Sequence, residues 1–169
     1  MRASRALLLC AAAVLLGACG GDDKFSSNQP ADIAGQYTVA VTNRANGCNF
    51  MNWTEGDTAS DIKLNIEQDG SSVNGTIEGL TAILLAFVTG NAQFSGTVDG
   101  TDFTMTSYGQ LTKTDGNCSY TWNVTLDGSL AGDAISGTVS YAPATNGNPD
   151  CAAIECSSIQ DFSGSRPPK

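Results

Sequence analysis

The chain has 169 residues, 15% of them charged, with 19 glycines, 6 cysteines, no histidine and a formal net charge of −9. That length supports one domain, and the shortage of Glu, Lys and Arg argues against a helical bundle. An acidic chain without a basic cluster repels phosphate backbones, which argues against nucleic acid as a partner.

Met1-Arg2-Ala3-Ser4-Arg5 is a short positive segment, and Ala6 to Leu16 is an unbroken apolar run. A run of that length suits a signal peptide and is too short to cross a bilayer as a helix. It ends at Leu16-Gly17-Ala18-Cys19, which resembles the lipobox of bacterial lipoprotein precursors. The resemblance implies cleavage between Ala18 and Cys19, a diacylglycerol on the Cys19 thiol, and an acyl chain of palmitate type on its new amine. Residues 1–18 are then the signal peptide, 19–33 the lipidated cysteine and a flexible tether, and 34–169 the β-barrel domain. Processing leaves 6 basic and 17 acidic residues. Each buried methylene contributes about 0.8 kcal/mol, so several acyl chains on one residue hold durably. The plainer alternative is an ordinary secretory signal with Cys19 as a free thiol. In enteric bacteria Asp directly after the lipidated cysteine favours retention in the inner membrane. Gly20 stands there, so the resemblance implies the outer membrane if the organism is Gram-negative.

Beyond Ile33 the pattern has period two. Tyr37, Val39 and Val41, then Ile62, Leu64 and Ile66, then Tyr120, Trp122, Val124 and Leu126 alternate with polar or small residues. Such alternation marks strands with one buried face. Asp69-Gly70, Asp99-Gly100, Asp115-Gly116 and Asp127-Gly128 read as turns between them. Eight strands are predicted, near 35–42, 61–68, 72–79, 91–99, 102–109, 119–127, 133–141 and 154–162. The fold class is all-β: an antiparallel up-and-down meander closed, or nearly closed, into a small barrel. A β-sandwich is the alternative. Val73-Asn74-Gly75-Thr76, Phe94-Ser95-Gly96-Thr97, Ile135-Ser136-Gly137-Thr138 and Phe162-Ser163-Gly164-Ser165 repeat one form, with each glycine in the buried phase. Strongly curved sheets need such positions. Leu80 to Val88 breaks the alternation, with Leu80, Ile83, Leu84 and Phe87 at helical spacing. It reads as a short helix plugging one mouth or as a ninth strand; outside the core, it would be a mobile lid or an apolar contact patch.

The meander is similar to the calycin group, which holds lipocalins, avidins and fatty-acid-binding proteins. In lipocalins a Gly-x-Trp on the first strand packs beneath an arginine that follows the last. Gly35-Gln36-Tyr37 and Arg166 are the matching residues, with Tyr in place of Trp. The resemblance implies a guanidinium over the Tyr37 ring, worth roughly 0.5–2 kcal/mol. The plainer reading, preferred on sequence, leaves Arg166 solvated in a frayed Arg-Pro-Pro-Lys tail.

Once Cys10 leaves with the signal peptide and Cys19 carries lipid, Cys48, Cys118, Cys151 and Cys156 remain. An even number in an exported chain argues for two disulfides, with three connectivities open. Cys48–Cys118 with Cys151–Cys156 is favoured here. No metal site is expected, for want of histidine and of any Cys-x-x-Cys pair. The same lack of histidine rules out Ser-His-Asp and Cys-His centres, and no phosphate or dinucleotide loop is present. Asp69, Asp99, Asp115, Asp127 and Asp133 are read as turn residues. No catalytic residue and no cofactor is assigned, and the chain is not expected to be an enzyme.

Two functions fit these residues. One is a non-catalytic envelope lipoprotein, a structural or interaction module held to the membrane by Cys19, its protein partner unknown. The other is a binding protein for a small apolar ligand inside the barrel, lined by Tyr37, Phe94, Phe103, Tyr120, Trp122, Tyr141 and Phe162. A continuous apolar cavity of about 300 Å³ or more separates the second from the first.

Overall fold

The computed structural model describes residues 29–169, so the signal segment and Cys19 lie outside the described residues. The elements are β1 (Gly35–Asn46), β2 (Thr58–Asp69), β3 (Ser72–Glu78), α1 (Leu80–Thr89), β4 (Gln93–Asp99), β5 (Asp102–Ser107), β6 (Lys113–Asp115), β7 (Cys118–Ala131), β8 (Ala134–Thr145) and β9 (Ser158–Ser165). A 3-10 turn, Pro149–Ala153, precedes β9. Each strand pairs antiparallel with its chain neighbour except at β5, which skips β6 and bonds to β7. β9 bonds back to β1. Eight strands thus close a barrel, and short β6 extends the ladder at one end of β7. With β1 paired on both edges and β5 joined to β7, no break remains to split the sheet into a sandwich.

Period-two burial follows the sequence pattern. Tyr37, Val39, Ile62, Leu64, Ile66, Val124, Leu126 and Phe162 point inward as one core. The repeated glycines sit where the curved sheet brings a neighbouring strand under the pleat; a methyl on Gly96 or Gly137 would run into the carbonyl of Thr104 or Asp127. Leu80 to Val88 is helical, resolving the open choice between helix and strand.

Three expectations need correction. Asp127-Gly128 is no turn: both residues lie inside β7, and the hairpin to β8 turns at Gly132. Gly128 is there because a Cβ would stand 2.6 Å from the Phe162 ring and 2.8 Å from that of Phe103. The ninth strand is β6, and β9 starts at Ser158 rather than 154, because 149–153 is wound into the 3-10 turn. The barrel unit also reaches ahead of residue 34. Ile33, placed above with the tether, is fully buried, and Ala31 N donates to Gly100 O at 2.6 Å.

Short hairpins gather at one end, at Gly70, Gly100 and Gly132, all with positive φ as such turns demand. Residues 29–34 cross this end and seal it. Arg166 locks the seal. Its Nη1 donates to Ala34 O (2.6 Å), its Nη2 to Asp32 O (3.0 Å) and its Nε to Asp133 Oδ1 (3.1 Å). The guanidinium carbon lies 5.5 Å from the Tyr37 ring centroid. Arg166 is 9% exposed, so the solvated-tail reading is wrong and the arrangement implied by the resemblance is present. The reason is satisfaction: three bonds and a ring face compensate for burying the charge. Gly35 is required beneath it, with φ +149° and only 2.9 Å between an added Cβ and Arg166 Cδ. Tyr37 donates its hydroxyl to Ile33 O at 2.9 Å, and burial raises its pKa.

Candidate functional site: the barrel mouth and its cavity

The long connections, 47–57, 79–92, 108–117 and 146–157, all emerge at the opposite end. Beneath them the barrel holds a partly open cavity of about 310 Å³. Its walls are Val39 and Val41 of β1, Ile62 and Leu64 of β2, Val124 and Leu126 of β7 and Val139 of β8. Thr81, Leu84, Leu85 and Val88 of α1 roof it. No charged side chain lines it; the polar groups are Thr81, Tyr141 and Gln160.

One half of the mouth is stapled. Cys48 bonds to Cys156, and Cys118 to Cys151. This corrects the favoured pairing, though the four cysteines are the ones expected. β1 and β9 are neighbours, so the residues just beyond their mouth ends meet; the 3-10 turn carries Cys151 to the start of β7. Nearness in sequence, as between Cys151 and Cys156, has no bearing on that meeting. Phe50 in the β1–β2 connection packs against Trp122 (4.9 Å between ring centroids), Trp53 (5.8 Å) and Tyr141 (5.8 Å). Tyr120 lies edge-on to Trp122. Asn46 pins this connection, bonding Phe50 through both its amide groups, and its Oδ1 also accepts from Ser158 Oγ.

A polar chain runs from the cavity wall into the same half. Tyr141 donates its hydroxyl to Gln160 Oε1 (2.8 Å), Gln160 Nε2 donates to Asn43 Oδ1 (2.7 Å), and Asn43 Nδ2 donates to Thr54 O (3.1 Å). Burial pushes the Tyr141 pKa up to about 12, so the phenol is protonated and donating throughout the physiological range.

The other half is covered by α1, and its two ends differ. At the C-terminal end Gly90 is left-handed and its N–H donates to Ala86 O. Thr89, fully buried, donates its hydroxyl to Leu85 O, and Asn91 Oδ1 accepts from Ser107 Oγ. At the N-terminal end Gly79 provides no side-chain cap and the first turn holds no acidic residue.

The aromatic residues expected to line the interior divide. Phe94, Tyr141 and Phe162 reach the cavity. Tyr37 belongs to the Arg166 seal, Phe103 packs on Phe162 below the cavity, and Tyr120 and Trp122 build the stapled half. Most of the lining is aliphatic instead. Its strand positions share the period-two phase that marked the aromatics, so the signal was present. Gln160, the polar member of the lining, stands two residues from Phe162 and so on the same face.

No family model matches this chain, and no curated protein matches it. Among solved structures it is similar to a Bacteroides fragilis protein described as a candidate outer membrane protein, at 16% identity and a TM-score of 0.39. That match covers 79% of this chain, which spans about half (50%) the length of the other.

Proposed function

We propose that this is a lipid-anchored envelope protein, held by acyl chains on Cys19, whose barrel carries a small uncharged apolar ligand. The cavity supports the reading. Its volume of about 310 Å³ falls at the lower end of ligand sites, roughly 300–1,000 Å³, and far above ordinary packing defects. At ~30 Å³ per water-sized unit it admits on the order of ten non-hydrogen atoms. Its uncharged wall disfavours an ionised group inside, which would lose hydration without a counter-charge. With its proton committed to Gln160 Oε1, the Tyr141 hydroxyl oxygen offers one accepting position, which suits a ligand hydroxyl.

A binding role rather than a catalytic one fits the same residues. The phenol of Tyr141 titrates near 12 and so offers little acid or base catalysis near neutral pH. The lipobox resemblance supports the envelope, and Gly20 supports the outer membrane under the enteric sorting rule.

Titration with naphthalene, a neutral fluorescent dye of ten carbons and so of the cavity's size, tests the ligand reading. Saturable one-to-one binding is expected, weakened at least about tenfold by Val41→Trp, which fills part of the cavity. Absence of saturable binding, together with no co-purifying small molecule by native mass spectrometry, overturns it. Intact mass of the membrane-extracted protein tests the anchor. A chain starting at Cys19 with added acyl mass is expected, and Cys19→Ser should carry none.

A further inference from the structure

The outward face of α1 has no partner among the described residues. Leu80, Ile83 and Phe87 are 72, 55 and 73% exposed, Leu84, on the border with the cavity roof, is 58% exposed, and their spacing stacks them into one ridge. Large apolar side chains on a soluble surface are normally scattered singly. Here the whole helix, Leu80–Thr89, contains no charged residue. Exposed Tyr108 and Leu111 extend the ridge. They are tied to the end of α1 by Gln110 N donating to Thr89 O and Asn91 Nδ2 donating to Tyr108 O.

Two observations identify what covers this ridge. The opposite side of α1 roofs the apolar cavity, so hydrocarbon on the outer side would make cavity and surroundings one continuous apolar path. The second is reach. Cys19 precedes Gln29 by ten residues, a span of at most about 35 Å. The barrel, with strands of 12 residues such as β1 and β2, is about 30 Å tall when those strands tilt as usual. A chain anchored at Cys19 can therefore bring its mouth to the bilayer that holds the anchor. A protein partner fits less well, since interfaces surround their anchors with a hydrogen-bonded polar rim and α1 carries no charged residue. The 6 basic and 17 acidic residues of the processed chain favour zwitterionic over anionic lipid.

We propose that α1, with Tyr108 and Leu111, is a membrane-docking element that seats the mouth on a zwitterionic lipid surface. Ligand then passes between the cavity and the acyl chains without crossing water. The proposal rests on the Cys19 anchor and on the ligand reading.

The test uses the acylated full-length mature protein, wild type and Phe87→Trp, in phosphatidylcholine vesicles with or without bromine on the acyl chains. Docked apolar faces sit ~5–10 Å into the headgroup–acyl boundary, so Trp emission at position 87 should fall about two-fold with brominated lipid. Wild type, whose Trp53 and Trp122 belong to the stapled half of the mouth, gives the baseline against which the signal from position 87 is read. Adding Ile83→Asp should abolish the quenching while dye binding in solution is retained. Co-sedimentation with vesicles but no quenching overturns the docking and leaves the anchor standing. No co-sedimentation overturns both. A dimer dispersed by Ile83→Asp, with no quenching, assigns the ridge to a second copy and also overturns the proposal.

Discussion

At the closed end a single guanidinium gathers Asp32, Ala34, Asp133 and the Tyr37 ring, whereas at the mouth two disulfides, a cluster of aromatic rings and a helix divide the task. The closed end is polar, short-looped and saturated with hydrogen bonds, so it has one arrangement. The mouth is asymmetric. Its disulfide half is fixed covalently, while α1 is secured at Thr89–Gly90 and uncapped at Gly79. A barrel sealed at one end by directional bonds and roofed at the other by an apolar helix can hold a rigid cavity and still have a place to open it. Directional bonds fix the bottom, whereas the uncapped first turn of α1 is the least secured part of the roof.

The largest break in that contrast should come from the mouth's covalent half. Cys48–Cys156 closes a separation of 108 residues and Cys118–Cys151 one of 33. The chain-entropy model gives about 5 and about 4 kcal/mol for the two. Denaturant unfolding of the Cys→Ala pairs should show the larger loss for Cys48 with Cys156. Hydrogen exchange should quicken at 46–58 while the Arg166 end keeps its protection.

Arg166→Ala attacks the other end. It strands the carbonyls of Ala34 and Asp32 and removes the ring contact. A loss of about 3 kcal/mol is expected, with faster exchange at residues 29–37 and an unaltered mouth. Equal loss of protection at both ends would mean that the two seals act as one unit.

Alkaline pH sharpens the comparison further. Tyr141 titrates at about 12 in the folded chain against 10.0 ordinarily. Its contribution is fully present below pH 10 and is lost as pH rises toward 12, because the unfolded chain releases that proton first. Stability should fall by on the order of 2 kcal/mol across this window, and Tyr141→Phe should remove most of the slope. Ultraviolet titration of the phenolate checks the assignment.

The smallest effect is expected on the ridge of α1. Ile83→Ser and Phe87→Ser change exposed side chains and should alter the thermal unfolding free energy by no more than about 0.5 kcal/mol. A large loss would show that the ridge packs against the barrel rather than facing outward.

Much of the barrel was legible because strand burial is a local, periodic property. Tyr37, Val39, Ile62, Leu64, Val124 and Leu126 declare an inner face whatever lies across from it. Glycines in that phase declare curvature for the same reason. The disulfide pairing was not legible: which cysteines meet depends on β9 returning to β1, a contact between the chain's two ends. Asp127-Gly128 misled because the dipeptide suits a turn, yet here its glycine serves the close approach of Phe103 and Phe162.

By itself the sequence determined the period of the strands and their inward face, both of which are written in neighbouring residues. Only the tertiary structure decided that Arg166 is buried over Tyr37, that aliphatic rather than aromatic side chains wall the cavity, and that α1 shows apolar residues on both sides. Those outcomes depend on volume and distance across a closed sheet, which local patterning does not encode.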